Sequence, residues 1–282
     1  MQAMPGRLAR VTEGRVQAPR TPGIAAAESR RSRYQARLAE GGVDLDAVLR
    51  LRFEVFNLEL GEGLAASYAT GLDLDRFDRA CHHLLVEDNE TGHVVGTYRM
   101  QTAEMAARAA GFYSDGEFDL GGLGHDVLRS SVEVGRACIA KEHRNTAVLF
   151  LLWRGLAAYI LGSGKRYLFG CSSITSQEPA VGRRAHARLR EAGSLHPEFI
   201  VRPRPGFECV GGDESSAGDV RLPILFRTYL RHGAKVCGLP ALDREFGTID
   251  FLTLLDVREL PEEARKLYFP EGHRIPDEAP AS

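Results

Sequence analysis

The chain lacks most of the signatures that announce a chemistry. Its five cysteines, at 81, 138, 171, 209 and 237, contain no CxxC pair. Their odd number and wide spacing speak against both a zinc ribbon and a disulfide framework, leaving reduced intracellular thiols as the expectation. No GxGxxG follows a strand pattern, and GxxxxGK[ST], GxSxG and HExxH are absent. The motif-borne dinucleotide, P-loop, serine-hydrolase and zincin classes are thereby set aside. Cys81-His82-His83 has metal-like residue types, but three adjacent residues cannot converge on one ion and no second cluster has ligand spacing, so no metal is expected. The N-terminal stretch has no apolar core of a secretory signal. The most apolar stretch, Ala147 to Leu161, is broken by Arg154-Gly155 and falls short of the roughly 20 residues a membrane span needs. It reads as a buried core helix of a cytoplasmic protein. Neither charge dominates: 36 Lys+Arg face 38 Asp+Glu, and nothing suggests a nucleic-acid partner.

What is present is an ordinary globular composition over 282 residues, with 44% hydrophobic and 26% charged residues, enough for one sizeable core. The near-zero net charge hides an asymmetry. Residues 1–40 hold eight Arg, no Lys and three Glu, a net of +5, against −7 for the rest. They read as a disordered, Arg-rich tail, either solubilising or able to touch an anionic membrane surface. The folded domain is expected over 41–260, with 261–282 as a C-terminal tail. Apolar residues at helical spacing predict a helix over 44–56. Segments 83–88 and 93–100 around Asn89-Glu-Thr-Gly predict a hairpin, 132–140 a third strand, 146–161 the apolar helix and 167–172 a further strand. A helix at 223–230 and strands at 234–238 and 248–255 follow, while 176–220, rich in Arg, Gly and Pro, gives no clear pattern. The order is that of an α/β protein.

Chemistry-bearing candidates are charges embedded in apolar segments: Arg52, Asp75, Asp78, Arg99, Glu133 and Arg136. Charges are rarely buried unpaired, so these form either an interior ion-pair network that fixes the fold or a polar site. Regular strand parity puts Glu133 and Arg136 on opposite faces of the third strand, unless a bulge intervenes at Gly135.

The arrangement resembles the autoinducer-synthase-like branch of the GNAT acyltransferases. The matching residues are Arg52 with Phe56, Asp75-Arg-Phe-Asp78, Gly96-Thr-Tyr-Arg99 and Glu133-Val-Gly-Arg136, in that order. Acyl-homoserine-lactone synthases carry a Trp soon after the first Phe, whereas the single Trp here is Trp153, which speaks against S-adenosylmethionine use. The chain is more similar to the ornithine N-acyltransferase family, long labelled haemolysin-like, through Val95-Gly-Thr-Tyr-Arg-Met, Gly111-Phe-Tyr-Ser, Glu117-Phe-Asp-Leu, Glu133-Val-Gly-Arg-Ala-Cys-Ile and Phe169-Gly-Cys-Ser-Ser. This resemblance implies a GNAT fold, a mixed twisted central sheet flanked by helices. It also implies transfer of a fatty or 3-hydroxyacyl group from acyl carrier protein to the α-amino group of an amino acid, most naturally ornithine. N-acyl amino acid synthases with other acceptors share the scaffold, and the lactone-synthase and membrane-lytic readings stand as alternatives.

In that setting Glu133 is the expected base, because the attacking amine must lose a proton. Arg52, Phe56, Asp75, Asp78, Arg99 and Arg136 would shape the acceptor site. No bound cofactor is expected; the acyl-phosphopantetheine of the carrier protein is the donor. Its phosphate would lie at Arg144, Asn145 and Thr146, where the apolar helix begins and where no Gly-containing pyrophosphate loop is present. The run Arg183, Arg184, Arg188, Arg190, Arg202 and Arg204 could receive the acidic carrier protein. Cys138 and Cys171 read as packing residues rather than acyl-bearing nucleophiles.

Overall fold

The computed structural model describes residues 32–212 and 220–269. An eight-stranded sheet organises them, built from β1 (Tyr34–Leu38), β2 (His82–Asp88), β3 (His93–Thr102), β4 (Ser131–Ile139), β5 (Tyr167–Ile174), β6 (Lys235–Val236), β7 (Ala241–Asp243) and β8 (Thr248–Asp256). Their order is β1-β2-β3-β4-β5-β8-β6, with β7 also paired to β8. β4 and β5 run parallel and all other pairs are antiparallel, so the sheet is mixed, as expected. The principal helices are α1 (Gly41–Phe53), α2 (Thr146–Ser163), α3 (Pro179–Glu191), α4 (Ile224–Arg231) and α5 (Glu262–Tyr268).

Alternation along the strands sorts the sheet into two faces. Tyr98 and Met100 of β3, Val132 of β4, Leu168 of β5 and Leu255 of β8 join Leu152, Trp153, Leu156 and Ile160 of α2 in the largest cluster of buried side chains. Phe169, Leu252 and Leu254 point the other way, among Phe118, Leu123 and Val127, on the same side as α1. α2 is capped at both ends. The Asn145 side chain accepts from the amides of Ala147 and Val148, and Gly164, at φ 65°, closes the C-terminus in a left-handed conformation. By length and composition α2 could cross a membrane, but it is a core helix packed on β1, β2 and β3. Each large apolar side chain it buries contributes about 1.5–3 kcal/mol relative to exposure.

The folded body is larger than the sequence suggests at both ends. Tyr34–Leu38, within the segment read as a tail, pairs with β2 as the edge strand, burying Tyr34 and Ala36. Arg33 and Arg37 are held there by Asp88, Asp44 and Glu87. Residues 1–31, which carry the rest of the tail reading, lie outside the described residues. At the other end α5 packs on α2, with Tyr268 stacked on Trp153 at 5.4 Å between ring centroids. The predicted helix over 44–56 starts three residues earlier and changes after Phe53 into a π-helical segment, Glu54–Glu59. The patternless 176–220 region contains α3, whose buried stripe of Ala180, Ala185 and Leu189 is too small and too interrupted by arginine to register as an apolar period.

Two irregularities in the central strands make the site. Thr97 pairs with Cys138 and Arg99 with Gly135, so Arg136 and Ala137 together oppose Tyr98. The bulge therefore falls at Arg136, one residue beyond the expected Gly135, and Arg136 itself takes φ 48°, the one non-glycine positive value among the described residues. Cys138 then packs with Leu51 of α1 and Val55 of the π-helical segment, and Ala137 and Ile139 pack on the α2 face. This one-residue shift returns Arg136 to the same face as Glu133. The second irregularity is a splay. β4 and β5 pair only from Ser131 to Glu133, opposite Tyr167 to Phe169, although both strands continue. At the fork Gly170 is indispensable, because a Cβ there would lie 2.1 Å from the Val134 carbonyl oxygen.

Candidate active site

The fork opens into a cavity of about 310 Å³ that threads the sheet. On the α1 face its wall is polar: Arg99, Gln101, Glu133, Arg136, Cys171 and Asp250. On the α2 face it is apolar, lined by Trp153, Leu156, Leu168, Phe226, Tyr229 and Leu255. Beyond Glu133 the edge of β4 that faces β5 has no strand partner. Its backbone groups look into the cavity, where free N–H groups suit a developing oxyanion.

Five of the six charges singled out from the sequence form a closed ring with Asp73. Arg52 Nε donates to Asp73 at 2.7 Å and its Nη1 to Asp78 at 2.6 Å. Arg99 Nη1 joins Asp78 at 3.0 Å to Asp75 at 2.6 Å. Arg136 completes the circuit, 3.3 Å from Asp75 and 3.4 Å from Asp73. Charges alternate around the ring, three of each sign, so the buried guanidinium groups are matched by carboxylates. Burial opposes ionisation of Asp78, but Arg52 and Arg99 outweigh it and hold its carboxyl well below the usual carboxylate range. Burial and neighbouring Arg136 likewise work against the charge on Arg99, and Asp75 and Asp78 overcome both. Aromatic faces clamp the guanidinium groups: Arg136 lies 4.7 Å from the Tyr113 ring centroid and 4.2 Å from that of Phe246, and Arg99 lies 5.2 Å from Tyr113. Phe56 braces Phe246 edge-on at 5.5 Å. All six candidates of this group are thus brought together. Asp73, which the sequence reading omitted, is the sixth charged member.

Glu133 sits beside the ring without an arginine of its own. Its Oε2 accepts the Tyr113 amide at 2.8 Å and its Oε1 the Ser114 amide at 2.7 Å. Burial raises its pKa, with the hydrogen bonds from Ser114 and Tyr113 working against the rise. Glu133 therefore both faces the cavity and anchors the 112–114 loop, a second role that sequence did not reveal.

The other candidates divide. Arg144 is exposed and forms a bidentate pair with Glu59 at 2.6 and 2.7 Å, Asn145 caps α2, and Thr146 is exposed at its first turn. Among the basic run, Arg183 and Arg188 donate to backbone carbonyls of 209, 211 and 220, and Arg204 pairs with Asp115. They brace loops rather than stand as a bare basic face. His82 and His83 point to opposite faces, to the Tyr159 hydroxyl and the Asp78 carbonyl, as strand parity requires. Burial pushes the Cys138 thiol up to about 12. Burial and the carboxylates of Glu117 and Asp250 raise Cys171 well above the ordinary range, which disfavours a thiolate nucleophile.

A second group of acids was not read from the sequence. A Glu117 carboxylate oxygen, Cys171 Sγ and an Asp250 carboxylate oxygen lie within 4.8 Å of one another. The signal for Asp250 was available, a lone charge between Ile249 and Phe251 in an apolar strand, the same cue that marked Glu133.

Residues 51–154, which hold the bulged strand and one side of the fork, match the model of the acetyltransferase (GNAT) domain. The chain is 33% identical over 247 residues to the L-ornithine N(alpha)-acyltransferase of Rhodobacter capsulatus, covering 83% of this chain and 94% of that one. To the L-ornithine N(alpha)-acyltransferase of Rhizobium meliloti it is 31% identical, covering 80% and 81% respectively. The solved structure of FeeM, an N-acyl amino acid synthase from uncultured soil microbes, superposes with a TM-score of 0.46 at 14% identity, over 84% of this chain and 96% of that one. The protein is an N-acyltransferase of the GNAT class. It belongs to the L-ornithine N(alpha)-acyltransferase family.

Proposed function

We propose that this protein transfers a fatty acyl group, from the phosphopantetheine thioester of acyl carrier protein, to the α-amino group of ornithine, forming a lyso-ornithine-lipid-type product in the cytoplasm. The observation that carries the reading is the cavity through the sheet, with a charged mouth on one face and an apolar wall on the other. A thioester seated at the fork lays its acyl chain along Trp153, Leu156 and Leu168 and presents its carbonyl to the freed edge of β4. The amine attacks that carbonyl, and a C–N bond forms as the C–S bond breaks. Glu133, through an unshared lone pair or one water, takes the amine's proton, and the departing thiolate is protonated in turn. The donor phosphate would replace Glu59 as the partner of Arg144 at the start of α2. The ring of Arg52, Arg99, Arg136 and the three aspartates walls the acceptor's side of the cavity and keeps Tyr113 in place.

Mass spectrometry of lipid extracts from cells expressing the chain tests the transfer, and a new N-acyl-ornithine absent from a Glu133→Gln control is the expected result. The variant alone does not separate base from anchor, because a glutamine amide would turn a donor against the Tyr113 or Ser114 amide. The pH profile does. A missing base is compensated above the pKa of the amine, so Glu133→Gln regains activity at alkaline pH if Glu133 is the base. A loss equal at every pH assigns Glu133 to the loop alone. Purified assays with acyl carrier protein or coenzyme A as carrier of the same chain decide the donor.

A further inference from the structure

The ring neutralises its own charges, which leaves a second set of buried acids to account for. Glu62, Glu117, Asp243 and Asp250 are all at most 8% exposed, and among the described residues no ion pair joins any of them to lysine or arginine. The cation whose field acts on Glu117 is Arg136, already engaged by Asp73 and Asp75. Burial, together with the fields of Asp250 and Asp243, pushes Glu117 well above the usual carboxylate range, and burial raises Asp250 as well. A molecule that needed these acids only for stability would match them, as the ring does.

Two unpartnered groups point to a missing occupant. Asp250, on the cavity wall and 3% exposed, has Oδ1 with no hydrogen-bond partner. Independently, Gln101 lines the same cavity, is 2% exposed, and has neither its amide oxygen nor its amide nitrogen bonded. Buried polar atoms in this state are rare and costly without a ligand or water. The acids also lie close to the reaction. Ser114 donates its amide to Glu133, its hydroxyl lies 3.5 Å from Cys171 Sγ, and that sulfur lies 3.9 Å from Glu117.

We propose that Asp250, with Glu117 behind it, forms the receptor for a primary ammonium on the acceptor's side chain, and so makes this enzyme select a diamino acid over a neutral one. The proposal rests on the acyltransferase reading above and adds the residues that read the far end of the acceptor. A compact ammonium offers three donors, one of which suits the open Asp250 oxygen, while Gln101 lines the same cavity with its amide unbonded. A hard divalent cation fits less well, since two carboxylates beside a protonated thiol fall short of the six or more oxygens it takes.

The test is the ratio of kcat/KM for ornithine to that for norvaline, which has the same carbon chain without the terminal amine. In the wild type the ratio is expected to be at least about 100, because a site built to bond a polar group rejects the analogue lacking it. Asp250→Asn and Glu117→Gln should lower kcat/KM for ornithine at least about 10-fold more than for norvaline. Equal losses for both substrates would make the pair structural, and a wild-type ratio near one overturns the proposal without any variant. Thermal stabilisation of the wild type by ornithine but not norvaline supports it even if no acyl transfer is detected, which would be the failure of the activity reading instead. Stabilisation by calcium or zinc that disappears in Asp250→Asn would assign the acids to a metal and overturn it.

Discussion

Arg52 shows what a single residue carries here. It is fully buried and bonds two aspartates at once with a planar fork. Arg52→Met removes the fork and leaves Asp73 and Asp78 buried with one fewer partner each, so urea denaturation should show a loss of about 3–5 kcal/mol. Arg52→Lys restores charge but cannot span both carboxylates, and should recover only part of that loss. The sequence revealed most of this ring because its members are charges set among apolar neighbours. Asp73 escaped because it lies in the polar, glycine-containing stretch before Asp75, where an aspartate draws no notice. Glu117 was equally silent: its neighbours marked a family resemblance, but nothing in the linear order places it beside Asp250.

At the scale of elements, strands and the long helix were legible because their periods of two and 3.6 survive in the apolar residues. Position along the strand was less so. A bulge leaves no period, and the shift that unites Glu133 with Arg136 occurs at an arginine where a glycine was the natural guess. α3 was hidden for a related reason, since its core contacts are made by alanines between arginines. The fork depends on close approach at Gly170. Gly170→Ala drives a methyl into the Val134 carbonyl, so the strands must move apart just beyond their last pair, Glu133 with Phe169. The expected outcome is about 3 kcal/mol of lost stability in denaturant melts, with a fall in kcat larger than the loss of folded fraction accounts for, because the fork lines the cavity.

For the molecule as a whole, buried histidine moves stability one way with pH and the raised carboxyls of Glu62, Glu117, Glu133 and Asp250 move it the other. Burial pushes His83 down to about 4, against 6.5 for the free group. Between those values the unfolded chain binds a proton that the folded chain refuses, so the His83 contribution to stability rises with pH from about 4 to 6.5 and is complete above it. The contribution of His83 over that window is up to about 3 kcal/mol. In melts followed by the buried Trp153, His83→Gln should gain stability relative to the wild type as pH is lowered from 7 to 4.5. The whole-chain charge of −2 gives no hint of such behaviour. It is the balance of +5 over the Arg-rich residues 1–40 and −7 over the rest, where the ring neutralises itself.

The ring has a consequence for how the chain reaches its native state. Its aspartates fall between Asp73 and Asp78, but its arginines come from α1, β3 and β4. The loop that carries the acids has little regular structure of its own to nucleate from. It acquires its shape only when a helix and two strands have already docked, so loop closure follows sheet assembly rather than guiding it. The ring side of the cavity is accordingly expected to order after the core, and in hydrogen exchange the amides of residues 73–78 should be less protected than those of the central strands.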